Sequence, residues 1–214
     1  MRASSPGSVV TSDSLTASPH PARAGATLAE VAAASSTCTL CKLAGGRTQV
    51  VFGVGRADAD LMFVGEGPGQ QEDLKGEPFV GRAGQLLTQL IEGIGLTRAD
   101  VYIANVVKCR APGNRDPQPD EIEACAPWLD RQLELIRPRV VVTLGNFATK
   151  LLLQTKEGIT KLRGSEFEFT RAGNTAVLIP TLHPSAVLRS GGRALAEVRA
   201  DFVHVKRALA LPGR

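Results

Sequence analysis

Apolar residues along this chain follow two different periods, which alternate from segment to segment. The runs 60–66 (DLMFVGE) and 139–145 (RVVVTLG) are short and almost continuously apolar, which is typical of strands buried on both faces of a sheet. A third run, 101–108 (VYIANVVK), is rich in β-branched residues and predicts another strand. Helical spacing of apolar residues predicts helices at 83–94, about 120–136, 146–153 and about 193–210.

The last third of the chain adds a predicted β-hairpin, with 165–170 (SEFEFT) and 175–183 (TAVLIPTLH) flanking the turn 171–174. Because strands and helices alternate, we expect an α/β fold, a three-layer α/β/α sandwich around a mostly parallel central sheet. Ligands of such sheets bind beyond the carboxyl ends of the strands. The turn GEGPG at 65–69, Asn105 and His183 fall at or near such ends. We therefore expect them to share one rim of the sheet.

Two segments show no apolar period. Residues 1–27 are rich in Ser, Ala and Pro and predict a disordered leader, which leaves 28–214 as the folded domain. Residues 70–81 (QQEDLKGEPFVG) predict a polar loop. The leader lacks the hydrophobic segment of a secretory signal, and a transit peptide stays open as an alternative. Apolar runs are too short to span a bilayer, so we expect a cytoplasmic protein without a membrane partner.

The net charge of the chain indicates less about its function than the pattern of apolar and polar residues does. The chain carries a net charge of +4, with a pI near 9.1, and 43% of its residues are apolar. This balance is ordinary for a globular protein. It is compatible with a polyanionic partner, but many basic proteins bind nothing acidic. Charge alone therefore does not identify nucleic acid as a partner.

The chain has four cysteines, Cys38, Cys41, Cys109 and Cys125. Disulfides are disfavoured in the cytosol, so metal or redox chemistry is the better interpretation, with free buried thiols as the alternative. Four thiolates can hold zinc or an iron–sulfur cluster. A structural zinc site usually has two close pairs, whereas only Cys38 and Cys41 are close here, so the spacing slightly favours a cluster. No nearby residue suggests an exchangeable ligand, which indicates a closed structural role.

Three motifs, taken with these cysteines, resemble a known family. They are GEGPGQQEDLKGEPFVGRAGQLL at 65–87, ANVVKCRAP at 104–112 and HPSAVLR at 183–189. The motifs and the cysteines occur in the same order as in the family 4 uracil-DNA glycosylases, which the chain resembles over residues 35–210, approximately. The resemblance implies a 4Fe–4S cluster held by the four cysteines. It also implies that the chain flips uracil out of single- or double-stranded DNA and hydrolyses the N-glycosidic bond as a monomer, leaving an abasic site for base excision repair.

The resemblance also implies roles for single residues. The catalytic set is His183, Glu66 and Asn105. His183 matches the donor to a uracil carbonyl oxygen, and Asn105 matches the side chain that reads the base edge. Phe79 matches the aromatic on which uracil stacks, and the turn around Glu66 and Gly67 holds the base. From the residues alone, each has a structural alternative: a strand-end cap for His183 and Asn105, and a core side chain for Phe79.

The better-known family 1 enzymes differ at two positions of the uracil-binding turn. Where they carry an aspartate that positions water and a tyrosine that excludes thymine, this chain has Gly67 and Gly69. Both functions are therefore unassigned by the resemblance. Our hypothesis is that Glu72 fills the space near C5 of uracil and so excludes thymine.

Residues 186–189 are expected to form a loop that enters the gap left by the flipped nucleotide, with Leu188 or Arg189 as the wedge. Candidate phosphate contacts are Gly81, Arg82, Lys108, Arg110 and Arg115. The alternative function is a non-catalytic or redox-sensing iron–sulfur DNA-binding protein. A phosphate-binding loop is excluded, because GEGPG lacks the Gly-Lys-Ser/Thr ending of that motif.

Overall fold

The structure is a computed structural model that describes residues 20–211. Within that range the chain forms six strands and eight α-helices. The strands are β1 (Val54–Gly55), β2 (Leu61–Gly65), β3 (Tyr102–Asn105), β4 (Val140–Leu144), β5 (Phe167–Arg171) and β6 (Asn174–Thr181). The helices are α1 (Leu28–Ser36), α2 (Gln70–Lys75), α3 (Arg82–Gly93), α4 (Pro119–Ile136), α5 (Asn146–Leu152), α6 (Ile159–Leu162), α7 (Pro184–Ser190) and α8 (Gly192–Ala210).

The strands form one sheet in the order β1-β3-β2-β4-β6-β5. The four central strands, β3, β2, β4 and β6, are parallel, and the edge strands β1 and β5 pair antiparallel to their neighbours. In this register Gly65 lies opposite Asn105 and Leu144 lies opposite Thr181. The carboxyl ends of β2, β3, β4 and β6 therefore open onto the same rim. The predicted mostly parallel α/β sheet and the β5–β6 hairpin are confirmed.

Alternate residues of each central strand pack into two separate cores, one on each face of the sheet. Met62 and Val64 lie in the core that contains side chains of α1, α4 and α5, including the fully buried Trp128. Leu61 and Phe63 lie in the other core, with side chains of α3, α7 and α8. Helices on both faces account for the nearly continuous apolar runs of the strands.

The predicted strand 101–108 ends earlier, at Asn105. The reason is that its neighbour β2 also ends there and turns into GEGPG. The backbone N–H groups of Val106 and Val107 still donate to the carbonyl oxygens of Gly65 and Glu66. Hydrogen bonds to the GEGPG turn therefore continue where the pairing of β2 with β3 stops. Beyond it, the carbonyl of Lys108 accepts a bond of 2.8 Å from the N–H of Val51, and the chain leaves the sheet.

Two predicted loops are helical. Residues 70–75 form α2, which ends at Gly76 with a φ of +73° and has Glu72 in its first turn and Lys75 in its last, as the helix dipole favours. Residues 186–189, expected as a loop, lie within α7 (Pro184–Ser190). Pro184 occupies the first position of α7, where its fixed φ suits a helix. The prediction of a loop is wrong for both segments.

The predicted disordered leader, 1–27, is described only from His20. Residues 1–19 lie outside the described part of the chain. From His20 onward the segment packs on α4: the imidazole lies edge-on to Trp128, with ring centroids 4.8 Å apart, and Ala22 is buried. The prediction is therefore wrong for 20–27.

Across residues 20–211, none of the helices combines the length and the apolar character that a membrane span requires.

Candidate active site

A cleft of about 410 Å³ opens at the carboxyl rim of the sheet. It lies where the turn after β2, the end of β3 and the start of α7 meet. Nine of the residues predicted to act on uracil or DNA line it: Glu66, Gly67, Gly69, Glu72, Phe79, Asn105, Arg115, His183 and Arg189. The rim expected from the sequence is thus one continuous surface.

Asn105 ends β3 and is 1% exposed. Its side-chain oxygen, Oδ1, is buried and finds no hydrogen-bond partner among residues 20–211. A buried carboxamide oxygen without a partner is costly, by roughly 1–3 kcal/mol, unless a ligand supplies the missing donor. The opposite residue on β2 must be small, because a Cβ at Gly65 would lie 2.4 Å from this oxygen. Asn105 thus lines the cleft with a side-chain acceptor that the described residues leave unsatisfied.

His183 follows β6 and caps the N-terminus of α7. Its Nδ1 accepts a bond of 3.1 Å from the backbone N–H of Ser185 and lies 2.7 Å from the Ser185 hydroxyl. Burial, reinforced by the positive charge of Arg189 and opposed by Glu72, lowers the pKa of His183 to about 4. The ring is therefore neutral at pH 7, and the proton resides on Nε2. Gly145 allows this position, because a Cβ there would lie 2.9 Å from the Cβ of His183.

Phe79 lies beside this imidazole, with ring centroids 5.7 Å apart and planes inclined by 34°. It is 7% exposed and adopts a left-handed backbone conformation with a φ of +54°. Helix α3 approaches its backbone closely: a Cβ at Gly84 would lie 1.7 Å from the carbonyl oxygen of Phe79. The aromatic ring is thus part of the cleft wall rather than of the sheet core alone.

The two carboxylates that line the cleft have different surroundings. Oε1 of Glu72 accepts bonds of 3.0 Å from the backbone N–H groups of both Val80 and Gly81. Its Oε2 lies beside Gly69, where a Cβ would come within 2.7 Å. Burial and, to a lesser extent, the negative charge of Asp116 raise the pKa of the Glu66 carboxyl. Glu72 is thereby held in place by the two residues that precede α3, while Glu66 is poorly solvated.

Leu188 and Arg189 lie on α7, one turn beyond His183. Leu188 is 45% exposed, a high fraction for a large apolar side chain, and Arg189 lines the cleft. Of the predicted phosphate contacts, Lys108 is wrong, whereas Arg115 has an ion-pair partner within the protein. Lys108 is only 1% exposed, so it cannot reach a phosphate. Arg115 forms a bidentate pair with the buried Glu121, at 2.6 and 2.9 Å, which engages its guanidinium.

The four cysteines line a second, smaller cavity between the N-terminal segment and α4. All four are free thiols. Among residues 20–211, no group of three or more His, Cys, Asp or Glu side chains is arranged to hold a metal ion. Two sulfurs nevertheless receive N–H donors: Cys125 from the backbone of Lys108 at 3.2 Å, and Cys109 from Arg47 at 3.5 Å. Four thiols that line one cavity, two of them with N–H donors, are a set of ligand types that suits an iron–sulfur cluster.

Lys108 connects this cavity with the cleft. Its ammonium donates to the backbone carbonyl of Asn105 at 2.8 Å and to Oε1 of Gln132 at 2.6 Å. Burial lowers the pKa of Lys108 to about 8, against the opposing effect of Cys125, Asp130 and Cys109. Gln132 in turn donates to the carbonyl of Phe52 and contacts the hydroxyl of Tyr102. A buried polar network thus supports the end of β3.

Comparison with known proteins shows which protein family the chain belongs to. The family model of the uracil DNA glycosylase superfamily matches residues 52–209. A type-4 uracil-DNA glycosylase of Archaeoglobus fulgidus is 49% identical over 156 residues, which cover 71% of this chain and 78% of that protein. The chain belongs to this family. The type-4 uracil-DNA glycosylase of Sulfurisphaera tokodaii is 45% identical over 184 residues, 83% of each chain. That of Thermotoga maritima is 49% identical over 162 residues, 75% of this chain and 83% of the relative. The predicted type-4 uracil-DNA glycosylase family is confirmed.

Sequence reasoning missed three residues that support this site, Ser185, Gln132 and Arg98, and assigned a fourth, Lys108, to a phosphate contact instead. Ser185 orients the imidazole, Gln132 and Lys108 hold the end of β3, and Arg98 bonds to the loop that carries Phe79. Only Ser185 could have been found from the sequence. It follows a strand-end histidine and a proline, a pattern that is typical of the first turn of a helix. The other three are charged or polar side chains whose burial depends on tertiary packing.

Proposed function

We propose that this glycosylase removes uracil from DNA through the cleft at the carboxyl rim. The reaction is hydrolysis of the N-glycosidic bond, which releases free uracil and leaves an abasic site for base excision repair. The single observation that carries the proposal is the buried Oδ1 of Asn105, a residue of the cleft wall, which has no hydrogen-bond partner among residues 20–211. A base extruded from the helix would supply the missing partner, and extrusion costs a few kcal/mol of stacking and pairing.

Asn105 reads the edge of the base. Its carboxamide offers an acceptor to the N3–H of uracil and a donor to O4, whereas cytosine presents the opposite pattern at these atoms. The lone Oδ1 supports this orientation, because an N–H of the ligand satisfies it. A site that pairs buried polar atoms rejects the wrong edge strongly, since mismatched groups stay unsatisfied.

His183 stabilises the departing base. Negative charge develops on uracil as the glycosidic bond breaks, and the Nε2–H of a neutral imidazole can donate to a carbonyl oxygen that carries it. The bond from Ser185 to Nδ1 supports this tautomer. A donor preorganised for developing charge contributes about 3–4 kcal/mol, or a factor of about 10²–10³ in rate.

Phe79 and the two carboxylates complete the pocket. Stacking of uracil on the Phe79 ring contributes roughly 1–3 kcal/mol. Glu72 is engaged by two backbone N–H groups, which leaves Glu66 as the carboxylate available to orient the attacking water. The closeness of Glu72 to Gly69 supports our hypothesis that Glu72 occupies the space near C5 and excludes thymine.

Cys38, Cys41, Cys109 and Cys125 would hold the 4Fe–4S cluster. When bound, this group supplies a structural crosslink rather than a step of the reaction. The arrangement of the chain supports that role, because the cysteines join the segment before β1 with the loop after β3 and with α4. Burial raises the pKa of the Cys109 and Cys125 thiols, so binding must displace their protons.

The DNA is held beside α7. Leu188 fills the gap left by the flipped nucleotide, and Arg189 contacts the backbone at the mouth of the cleft. The exposure of Leu188 supports this role, because moving an exposed apolar side chain out of water and into the base stack is favourable.

We further propose that the protein acts as a monomer on DNA in the cytoplasm, without a membrane partner. The alternative of a non-catalytic iron–sulfur DNA-binding protein is not favoured, since the matched relatives are glycosylases.

The test is incubation of the purified protein with an oligonucleotide that contains one uracil, followed by alkaline cleavage of abasic sites. We expect strand cleavage at the uracil position and none in a matched oligonucleotide with a thymine mismatch. An intact uracil strand after prolonged incubation with excess protein contradicts the proposed function.

A further inference from the structure

The loop that carries the stacking aromatic is held in an uncommon conformation. Phe79 has a φ of +54°, in the left-handed region that few residues other than glycine adopt. Such a conformation persists only where surrounding groups determine it, and it is characteristic of functional sites. The structure shows which groups hold the Phe79 loop from each side.

The carbonyl side is bound by Arg98. Its Nη2 donates to the carbonyl oxygen of Pro78 at 2.9 Å, and its Nη1 donates to that of Phe79 at 3.3 Å. The planar guanidinium suits two adjacent acceptors, which a lysine ammonium does not reproduce. Arg98 begins a 3₁₀ turn whose capping bonds between Thr97 and Asp100 fix its position after α3.

The amide side of the loop is bound by Glu72. Its Oε1 accepts from the N–H groups of Val80 and Gly81, the two residues after Phe79, at 3.0 Å each. Four consecutive residues, 78–81, are therefore held by one cation at their carbonyls and by one anion at their amides. Arg98 does not line the cleft, so it has no contact with a base bound there.

We infer that Arg98 is a positioning residue for uracil recognition, which acts by holding Phe79 in the orientation in which the base stacks on its ring. The inference rests on the proposed function. It assigns to Arg98 a part in specificity and binding that is carried entirely through Phe79. Loss of stacking on an aromatic side chain corresponds to about five- to 100-fold in binding. Displacement of the ring should cause a loss in that range.

The test is a double-mutant cycle on uracil excision, measured as kcat/KM under steady-state conditions and as the single-turnover rate. The variants are Arg98→Met, Phe79→Ala and the double variant. Arg56→Met is the matched control, because Arg56 is a surface arginine whose ion pair with Asp58 lies away from the cleft. We expect Arg98→Met to lower kcat/KM about tenfold. In the Phe79→Ala background, Arg98→Met should change kcat/KM less than twofold, because the aromatic ring that Arg98 positions is absent.

Arg98→Lys separates positioning from simple charge and serves in the same cycle if Arg98→Met does not fold. A lysine retains the positive charge but bonds only one carbonyl, so we expect an intermediate loss. If Arg98 instead contacts a DNA phosphate, Arg98→Lys keeps full activity and the loss in Arg98→Met persists in the Phe79→Ala background. Either outcome overturns the inference, as does unchanged activity of Arg98→Met. If the unmodified protein and Arg56→Met both release no uracil, the proposed function itself fails.

Discussion

The backbone N–H of Ser185 donates a hydrogen bond of 3.1 Å to Nδ1 of His183. Because an imidazole nitrogen that accepts a bond cannot carry a proton, this contact places the proton of the neutral ring on Nε2. The first turn of α7 thus determines the donor that faces the leaving base in the proposed mechanism. It also opposes protonation of Nδ1 and acts with burial to keep the ring neutral.

The neutral ring predicts an acid-tolerant reaction. Because the pKa of His183 is lowered to about 4, we expect protonation of His183 to cause no loss of kcat/KM for uracil excision between pH 7.5 and about pH 5.5. The loss attributable to His183 should appear only as the pH approaches 4. The measurement is a pH–rate profile at constant ionic strength. A midpoint near 6.5, the pKa of an unperturbed histidine, contradicts it.

The same lowered pKa predicts a dependence of stability on pH. Below about pH 6.5 the unfolded chain takes up a proton at residue 183, whereas the folded chain does so only near pH 4. The contribution of His183 is therefore fully present above pH 6.5 and decreases as the pH falls through this window. Urea unfolding of the native chain and of His183→Gln should show a steeper loss for the native chain between pH 6.5 and 4. Parallel curves would contradict the expectation.

Glycine at position 84 is required by the carbonyl of Phe79. A Cβ at Gly84 would lie 1.7 Å from that oxygen, so Gly84→Ala should force the loop away and destabilise the protein by about 1–3 kcal/mol. Gly93→Ala is the control on the same helix, since no atom lies within 4 Å of its added Cβ. We expect it to be neutral or to stabilise by up to about 1 kcal/mol. Urea denaturation measures both, and equal effects of the two substitutions would exclude the steric explanation.

Leu188 as a wedge predicts a dependence on the DNA strand state. Leu188→Ala should slow uracil excision from duplex DNA by about tenfold and leave excision from single strands nearly unchanged, because only the duplex needs its gap filled. Val203→Ala is the matched control, since both side chains are 45% exposed and Val203 lies on α8. Single-turnover rates on the two substrates provide the comparison. An equal loss on single strands would refute the wedge.

The cysteine cavity predicts the metal content. Protein purified without oxygen should be coloured and contain about four iron atoms per chain, as a 4Fe–4S cluster requires. Cys125→Ser should lose the visible absorption and lower the melting temperature, because α4 is then no longer joined to the N-terminal segment. Metal analysis and absorption spectra check this, and a colourless protein that contains one zinc ion would contradict the assignment.

The central sheet could be predicted because its information is local. The runs that became β2 and β4 are continuously apolar, and α3, α4 and α8 are long enough to show a helical period. Helices α2 and α7 could not be predicted in this way. Each has six or seven residues, too few to show a helical period, and the leucine of each, Leu74 and Leu188, is exposed rather than buried.

The site was predictable for a topological reason. Asn105 and His183 follow strands that run in parallel, so their side chains had to meet at one rim. What holds them in place could not be predicted. Lys108 carries a positive charge that suggested a phosphate contact, but packing of α4 over the sheet buries it. Burial of a charged residue depends on contacts between distant segments, which a sequence pattern does not contain.

Lys108 contacts two regions at once, since its amide donates to the sulfur of Cys125 and its ammonium donates to the backbone carbonyl of Asn105 at the end of β3. We therefore expect damage to the thiols to shift the end of β3 and, with it, the base selectivity proposed for Asn105. Oxidised preparations should be checked for fidelity as well as for colour.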